Sequence, residues 1–199
     1  ICTEFPAIKA LSCEDCQDYA MIARYTGMRQ GEIAQLLGSD AVLFPTDAYL
    51  DAVLRTPDQF QKPYVPADGV PERMVLCLYV RDRGSRSTKT GLERIVPVAA
   101  KLLPVLRRRL DQAGGKAFFP SALPDRGSKF GRAWLKGVKK IHAELTMHGF
   151  RHYAASEMEN TAVNATVSGA ILGHVDSSVH GGYVHVEIGT LKEAVDTIW

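Results

Sequence analysis

Arginine, lysine, histidine and tyrosine recur in short segments whose residue types suit chemistry on a phosphate ester. Cleaving a phosphodiester without a metal ion requires a nucleophile, fixed cations for the phosphate oxygens and a proton donor for the departing oxygen. Arginine suits the phosphate oxygens because its planar guanidinium presents paired donors and stays charged, whereas lysine or histidine suits proton donation. All of these residue types occur, in segments 26–33, 88–97, 148–152 and 172–183.

Positive charge is concentrated in the middle of the chain. The 199 residues carry 24 Lys and Arg against 22 Asp and Glu, a net charge of +2, yet 16 basic and 4 acidic residues lie between Arg81 and Lys140. Such a concentration attracts polyanions by releasing their counterions. It favours a nucleic-acid partner over the alternative of a merely solvated helix face.

The elements that must position these segments predict an α/β (α+β) domain, mainly helical, with a small antiparallel β-sheet. Met74–Val80 and Arg94–Val98 are predicted to form a β-hairpin with a basic tip, and 41–44 a short strand. Helices are predicted over 12–25, 31–37, 99–112, 129–145, 152–160, 165–172 and a C-terminal segment. Residues 45–71 contain five prolines, and we expect a peripheral insertion there.

The composition is that of an ordinary globular domain. Apolar residues make up 46% and charged residues 23%, which argues against disorder, collagen-like repeats and coiled coil. The longest apolar run, Met74–Val80, is far shorter than the roughly 20 residues of a membrane span. Four cysteines are too few and too unevenly spaced for a disulfide framework, so we expect a reduced, cytoplasmic setting and no membrane partner.

The order and spacing of the segments resemble the catalytic domain of the tyrosine recombinase (phage integrase) family. The family's first arginine box resembles Thr26–Ile33, its β-strand lysine segment Thr88–Pro97, its H-x-x-R box His148–Arg151 and its L-G-H box Leu172–His174. Arg151 precedes His174 by 23 residues, and Tyr183 follows His174 by nine, as expected for the family. We expect residues 1–199 to form this catalytic domain, without the N-terminal core-binding domain of full-length members.

The resemblance implies a site-specific recombinase that cuts and rejoins double-stranded DNA through a 3'-phosphotyrosine intermediate, without metal or cofactor. Tyr183 is then the nucleophile, Arg29 and Arg151 bind the phosphate oxygens, and Lys89 protonates the leaving 5'-oxygen. His148 assists deprotonation of the tyrosine, and His174 donates a hydrogen bond to the phosphate. We expect the integrase of a phage or other mobile element, acting in a prokaryotic cytoplasm.

Two rival functions and two rival sites stay open at this point. A type IB topoisomerase uses similar residues and the same phosphotyrosine chemistry, and a DNA-binding regulator could carry a relic active site. Cys13 and Cys16 form a C-x-x-C pair, but ordinary residues in the first turn of a helix are favoured over a zinc or redox site. His148 and His152 could suggest a metal-binding face, yet the H-E-x-x-H pattern is absent and an arginine stands between them.

Three further expectations concern the second half of the chain. The family usually has glycine where this sequence has Ala162, so we expect the turn there to differ. Gly181 and Gly182 weaken helix formation before Tyr183, which predicts that the tyrosine docks only with DNA or a partner. We also expect a homo-oligomer, a tetramer on DNA, in which an apolar C-terminal stripe packs into a neighbouring copy; its principal residues are Leu191, Val195, Ile198 and Trp199.

Overall fold

A computed structural model gives the fold of most of the chain. It describes residues 13–48, 62–63, 70, 73–81, 93–122, 128, 131–132, 136, 146–174 and 186–198. The described helices are α1 (Glu14–Thr26), α2 (Gln30–Ile33), α3 (Leu103–Ala113), α4 (Met147–Asn160), α5 (Ala165–Leu172) and α6 (Ile188–Asp196). The strands are β1 (Ala41–Pro45), β2 (Lys62–Pro63), β3 (Met74–Val80) and β4 (Arg94–Pro97), which confirms a mainly helical domain with a small sheet.

The sheet is antiparallel with the strand order β2-β1-β3-β4. The predicted hairpin is confirmed: Val80 lies opposite Arg94, and Cys77 opposite Pro97. Every residue of β3 after Met74 is buried, as expected of a central strand. Part of the proline-rich region, Lys62–Pro63, forms the edge strand on β1, a place where a missing N–H is tolerated.

Three helices differ from their predicted bounds for local reasons. Helix α3 begins at Leu103 instead of residue 99 because a 3-10 turn, Ala100–Leu102, precedes it. Helix α2 ends at Ile33, earlier than predicted, because the chain beyond it pairs with a neighbouring segment: Phe118 N–H donates to the Leu36 carbonyl at 2.9 Å. Helix α4 begins five residues earlier than predicted because the Thr146 hydroxyl accepts the Gly149 N–H at 3.0 Å and caps the helix. The predicted helix over 129–145 lies mostly outside the described residues; positions 131, 132 and 136 are helical.

One apolar core joins the helices to the sheet. Helix α1 packs on α4, α4 on α5, and both α5 and α6 on β4. The largest fully buried side chains in the described residues include Tyr19, Phe44, Phe119 and Phe150. In the part of the chain that the structure describes, no helix is both long and apolar enough to span a bilayer.

A buried ion pair joins α3 to α1. The Arg109 side chain is 4% exposed, and its Nε donates to Asp18 at 2.6 Å. Its Nη1 donates to Asp15 at 2.5 Å, and its guanidinium lies over the Phe119 ring. Arg109 is therefore a structural arginine, buried and charge-paired.

In the described conformation the C-terminal stripe is buried inside its own domain, and its packing into a neighbouring copy stays a prediction. Leu191, Val195 and Ile198 are at most 1% exposed, and α6 packs against α5, β3 and β4. An apolar stripe at helical spacing predicts a buried face but does not identify the surface that covers it. Trp199 lies outside the described residues.

Shortening one residue of this stripe tests its role in folding. We expect Leu191→Ala to lower the free energy of unfolding by about 2–5 kcal/mol, because it opens a cavity in the core. Lys192→Ala, a change to a partly exposed neighbour, is the control and should cost no more than about 1 kcal/mol. Urea denaturation measures the free energy of unfolding of both variants. Equally small losses of stability would mean that the stripe does not belong to the core.

Ala162 takes a backbone conformation that alanine rarely adopts. Its φ is 59°, in the left-handed region, and its N–H donates to the Glu159 carbonyl at 3.0 Å. The next N–H, of Val163, donates to Met158 at 2.8 Å, which completes the usual end of a helix at a glycine. The turn thus keeps the conformation that glycine adopts readily, with alanine in it.

Replacing this alanine should relieve the strain. We expect Ala162→Gly to raise the free energy of unfolding by about 1 kcal/mol, because a left-handed conformation disfavours residues with a Cβ. Ala155→Gly, within α4, should instead lower it by about 1 kcal/mol. Thermal or urea unfolding should show a gain in stability for Ala162→Gly and a loss for Ala155→Gly. A loss of stability in both variants would contradict a strained turn.

Candidate active site

Arg29 is held at a tight turn between α1 and α2. Gly27 ends α1 with φ at 61°, and its N–H donates to Ala23 at 3.0 Å. The Thr26 hydroxyl donates to the Ile22 carbonyl at 2.6 Å and accepts the Met28 N–H at 3.2 Å. A Cβ on Gly27 would lie 2.5 Å from Leu172 Cδ2, so this position requires glycine for both its conformation and its packing.

Glu32 fixes both the backbone and the side chain of Arg29. The Arg29 N–H donates to Glu32 Oε2 at 2.8 Å, as in the acidic half of a capping box. The Arg29 Nη1 donates to Glu32 Oε1 at 3.1 Å. The Arg29 side chain remains 22% exposed, so it is held at one end and open to solvent.

Arg94, the first residue of β4, binds the same carboxylate. Its Nη1 and Nη2 donate to the two oxygens of Glu32 at 3.0 and 2.6 Å, the paired geometry of an arginine fork. Its Nε donates to the Ile171 carbonyl at 2.9 Å, in the last turn of α5. Both charged side chains are buried, with 5% of Arg94 and 3% of Glu32 exposed.

Arg151 bonds to the two segments that carry Arg29 and His174. Its Nη1 donates to the Gly27 carbonyl at 2.9 Å, and its Nη2 to the Leu172 carbonyl at 2.5 Å. Arg151 lies on the buried face of α4 and is 5% exposed. The turn before Arg29 and the end of α5 are therefore bound to a single guanidinium.

His174 follows directly after α5. Gly173 ends the helix with φ at 68°, and both its N–H and that of His174 donate to the Gly169 carbonyl. This cap turns the chain so that the His174 side chain is exposed at the end of the helix. His174 thus lies two residues from Leu172, the acceptor of Arg151, and three from Ile171, the acceptor of Arg94.

We call Arg29, Arg94 and Arg151, together with Glu32, the arginine cluster. Burial lowers the pKa of Arg151 to about 10, and repulsion from Arg29 and Arg94 contributes to the shift, while Glu32 opposes it. Burial by itself would raise the pKa of Glu32, but hydrogen bonds and charge from Arg94, with hydrogen bonds from Arg29, outweigh it and lower the pKa. Partial burial and the charges of Arg151, Arg29 and Arg94 lower the pKa of His174.

The structure therefore brings together three residues predicted from separate segments: Arg29, Arg151 and His174. His148 is exposed in the first turn of α4, and its ring contacts His152 edge-on with centroids 4.6 Å apart. Lys89 and Tyr183 lie outside the described residues, as does the glycine pair that precedes the tyrosine.

Sequence reasoning missed the roles of Glu32 and Arg94. Glu32 lies in segment 26–33 and Arg94 in segment 88–97, but the sequence did not show which residues they contact. The i, i+3 spacing of Arg29 and Glu32 was a usable signal, since a glutamate three residues after a helix N-cap often bonds back to it. Nothing local pointed from Arg94 to Glu32, because 62 residues separate them.

The two rival metal sites have no further ligands in the described part of the chain. No group of three or more His, Cys, Asp or Glu residues with metal-binding geometry occurs among the described residues. Cys16 is buried in the first turn of α1, where burial and its hydrogen bond with Cys13 raise its pKa to about 12. A thiol with a raised pKa is a poor nucleophile, as is usual for a buried structural cysteine.

The arginine cluster has the properties of an anion receptor. The cluster holds three guanidinium groups and one carboxylate, which bonds to Arg29 and Arg94, so the described cluster carries an excess of positive charge. Arg29 is partly exposed, and His174 lies at the same edge. A phosphate group bound there would neutralise charges that otherwise repel one another, in donors already fixed by the fold.

Comparisons with known proteins agree with this geometry. The model of the phage integrase family matches residues 69–188. The chain is 28% identical over 116 residues to the tyrosine recombinase XerC of Pelobacter propionicus, covering 54% of this chain and 38% of that protein. It is 32% identical over 98 residues to a tyrosine recombinase of Thermosipho africanus, covering 47% and 35%. The chain matches less than two fifths of the length of either relative.

A solved structure shares the fold. The integrase from mycobacterium phage Brujita superposes with a TM-score of 0.58 at 14% sequence identity, over 98% of this chain and 56% of that chain. At this identity the likeness concerns the backbone architecture.

The electrostatics of His174 can be measured directly. We expect an NMR titration of its ring to give a pKa below 6.5, and Arg29→Gln to raise that value because it removes a positive charge. Arg109→Gln, which removes an arginine at the α1–α3 contact, should leave the value unchanged. A wild-type pKa at or above 6.5, or equal responses to the two substitutions, would contradict the coupling.

Proposed function

The chain belongs to the phage integrase family, and we propose that it is a site-specific recombinase that breaks and rejoins DNA strands through a phosphotyrosine intermediate. The observation that carries the proposal is the convergence of Arg29, Arg151 and His174 beside one buried carboxylate. Three donors from distant segments, at an edge open to solvent, suit a single phosphate group.

The proposed reaction is a transesterification at phosphorus. The Tyr183 oxygen forms a bond to the phosphorus, and the bond from phosphorus to the 5'-oxygen breaks. The phenol proton leaves with the help of His148, and Lys89 supplies a proton to the departing 5'-oxygen. Because the phosphotyrosine conserves the ester bond, the 5'-hydroxyl of another strand can reverse the step without a further energy source.

The proposed roles of the arginine cluster follow from its contacts. Arg29, held by Glu32 at one end, presents its exposed part to a non-bridging oxygen. Burial lowers the pKa of Arg151 only to about 10, so the side chain stays charged at neutral pH and donates to a second phosphate oxygen. His174, with its lowered pKa, acts as a neutral hydrogen-bond donor.

Recombination also requires more than one copy of the chain. Two duplexes must be cut before their strands are exchanged, so we propose that several copies, in total a tetramer, assemble on DNA. Leu191, Val195 and Ile198 do not provide the contact between copies in the described conformation, since they fill the core of their own domain.

Trapping of a covalent adduct tests the proposed function. The substrate is a pool of random-sequence duplexes with a nick, so that cleavage near the nick releases a short strand and leaves the enzyme attached. We expect the wild-type polypeptide to form an adduct that survives denaturing electrophoresis, and Tyr183→Phe to form none, because it lacks the attacking oxygen. Mass spectrometry of the linked peptide should find the DNA on Tyr183.

A second tyrosine provides the matched control. Tyr153→Phe removes the hydroxyl of a half-buried tyrosine on α4 and should retain the adduct. Absence of a wild-type adduct, or its persistence in Tyr183→Phe, would contradict the proposal. Sequencing of the captured DNA then defines a substrate, and relaxation of plasmids without exchange between paired sites would favour a topoisomerase.

A further inference from the structure

Arg94 is a buried cation whose contacts reach both halves of the candidate site. Its fork holds the two oxygens of Glu32, and through Glu32 it reaches both the backbone and the side chain of Arg29. Its Nε holds the Ile171 carbonyl near the end of α5. The Leu172 carbonyl, next along the chain, accepts from Arg151, and His174 follows two residues later.

We propose that Arg94 is a positioning residue that holds Arg29 and the α5 end in one fixed arrangement. The inference rests on the proposed function for its chemical meaning, since the arrangement is that of the phosphate-binding groups. Without Arg94, the described contacts of Glu32 come from Arg29 alone, three residues away in the same turn. The Arg94 side chain thus provides a direct link between the first arginine box and α5.

Arg94 does not act by touching the substrate. Its side chain is 5% exposed, and Nε, Nη1 and Nη2 all donate to protein acceptors. A Cβ on Gly173 would lie 2.9 Å from Arg94 Nη1, so the backbone before His174 approaches the guanidinium closely. These contacts require the planar fork: a lysine would keep the charge but could not reach both Glu32 oxygens and the Ile171 carbonyl in this geometry.

The alternative is that Arg94 only stabilises the fold, and an experiment must distinguish this role from positioning of the site. Removing any buried, paired arginine destabilises a fold because it leaves a charge without its partner. Arg109 provides the comparison: it is buried to the same degree and bonded to Asp18 and Asp15, but it belongs to the α1–α3 contact. Arg94→Lys and Arg109→Lys both preserve the net charge and both weaken a buried ion pair.

Inorganic phosphate provides a test that does not depend on DNA cleavage. Phosphate is titrated at constant ionic strength into the wild type, Arg94→Lys and Arg109→Lys, and binding is followed at the ring resonances of His174. We expect Arg94→Lys to weaken phosphate binding by about 10-fold, because misplacement of fixed donors costs affinity, and Arg109→Lys to leave it unchanged. Equal affinities for the wild type and Arg94→Lys would overturn the inference.

A second variant keeps the test open if Arg94→Lys does not fold. The double substitution Arg94→Gln with Glu32→Gln removes both charges of the pair, so neither member leaves the other as a lone buried charge and the net charge is unchanged. We expect it to bind phosphate about 10-fold more weakly than the wild type. Since its net charge is the same, wild-type affinity would show that the pair does not position the site.

Cleavage kinetics then connect the positioning role to the reaction. On the captured DNA sequence, Arg94→Lys should slow single-turnover adduct formation by about 10- to 100-fold while changing DNA affinity little. Arg109→Lys should retain the rate, and equal losses in the two variants would overturn the inference. If the wild type forms no adduct, the proposed function fails, and the phosphate titration still decides the role of Arg94.

Discussion

The carboxylate of Glu32 is the constraint on which the site depends. It is 3% exposed and accepts four hydrogen bonds, two from Arg29 and two from Arg94. A buried charge of this kind is costly unless it is fully bonded, so the fold must bring both arginines to it. That requirement joins the α1–α2 turn to the sheet and, through the Ile171 carbonyl, to the end of α5.

The positive charges of the arginine cluster are not balanced by negative ones, although the fold holds their side chains in place. Arg151 bonds to the carbonyls of Gly27 and Leu172, and neither is a charged partner. Its lowered pKa records the cost of holding a cation in a buried place near Arg29 and Arg94. Donors fixed in this way need little reorganisation when an anion arrives, which is the main means by which proteins stabilise charge that develops during a reaction.

Local sequence patterns predict part of the fold and part of the candidate site. The hairpin of β3 and β4, helix α5 and the first helix follow from short-range hydrophobic periodicity, and the boxes located Arg29, Arg151 and His174. The partners of Arg94 did not follow, because Glu32 and Ile171 lie 62 and 77 residues away in the chain. The C-terminal stripe shows the same limit: its period identified a buried face, but only the fold shows that Leu191 packs within its own domain.

We propose that Arg29, fixed by Glu32, and Arg151, fixed by the carbonyls of Gly27 and Leu172, bind one phosphate group together. A crystal structure with orthovanadate, which can mimic five-coordinate phosphorus, tests it most directly. We expect one anion whose oxygens accept hydrogen bonds from both Arg29 and Arg151, with the Glu32–Arg94 pair intact. An anion bound to one of these arginines alone, or placed away from both, would contradict it.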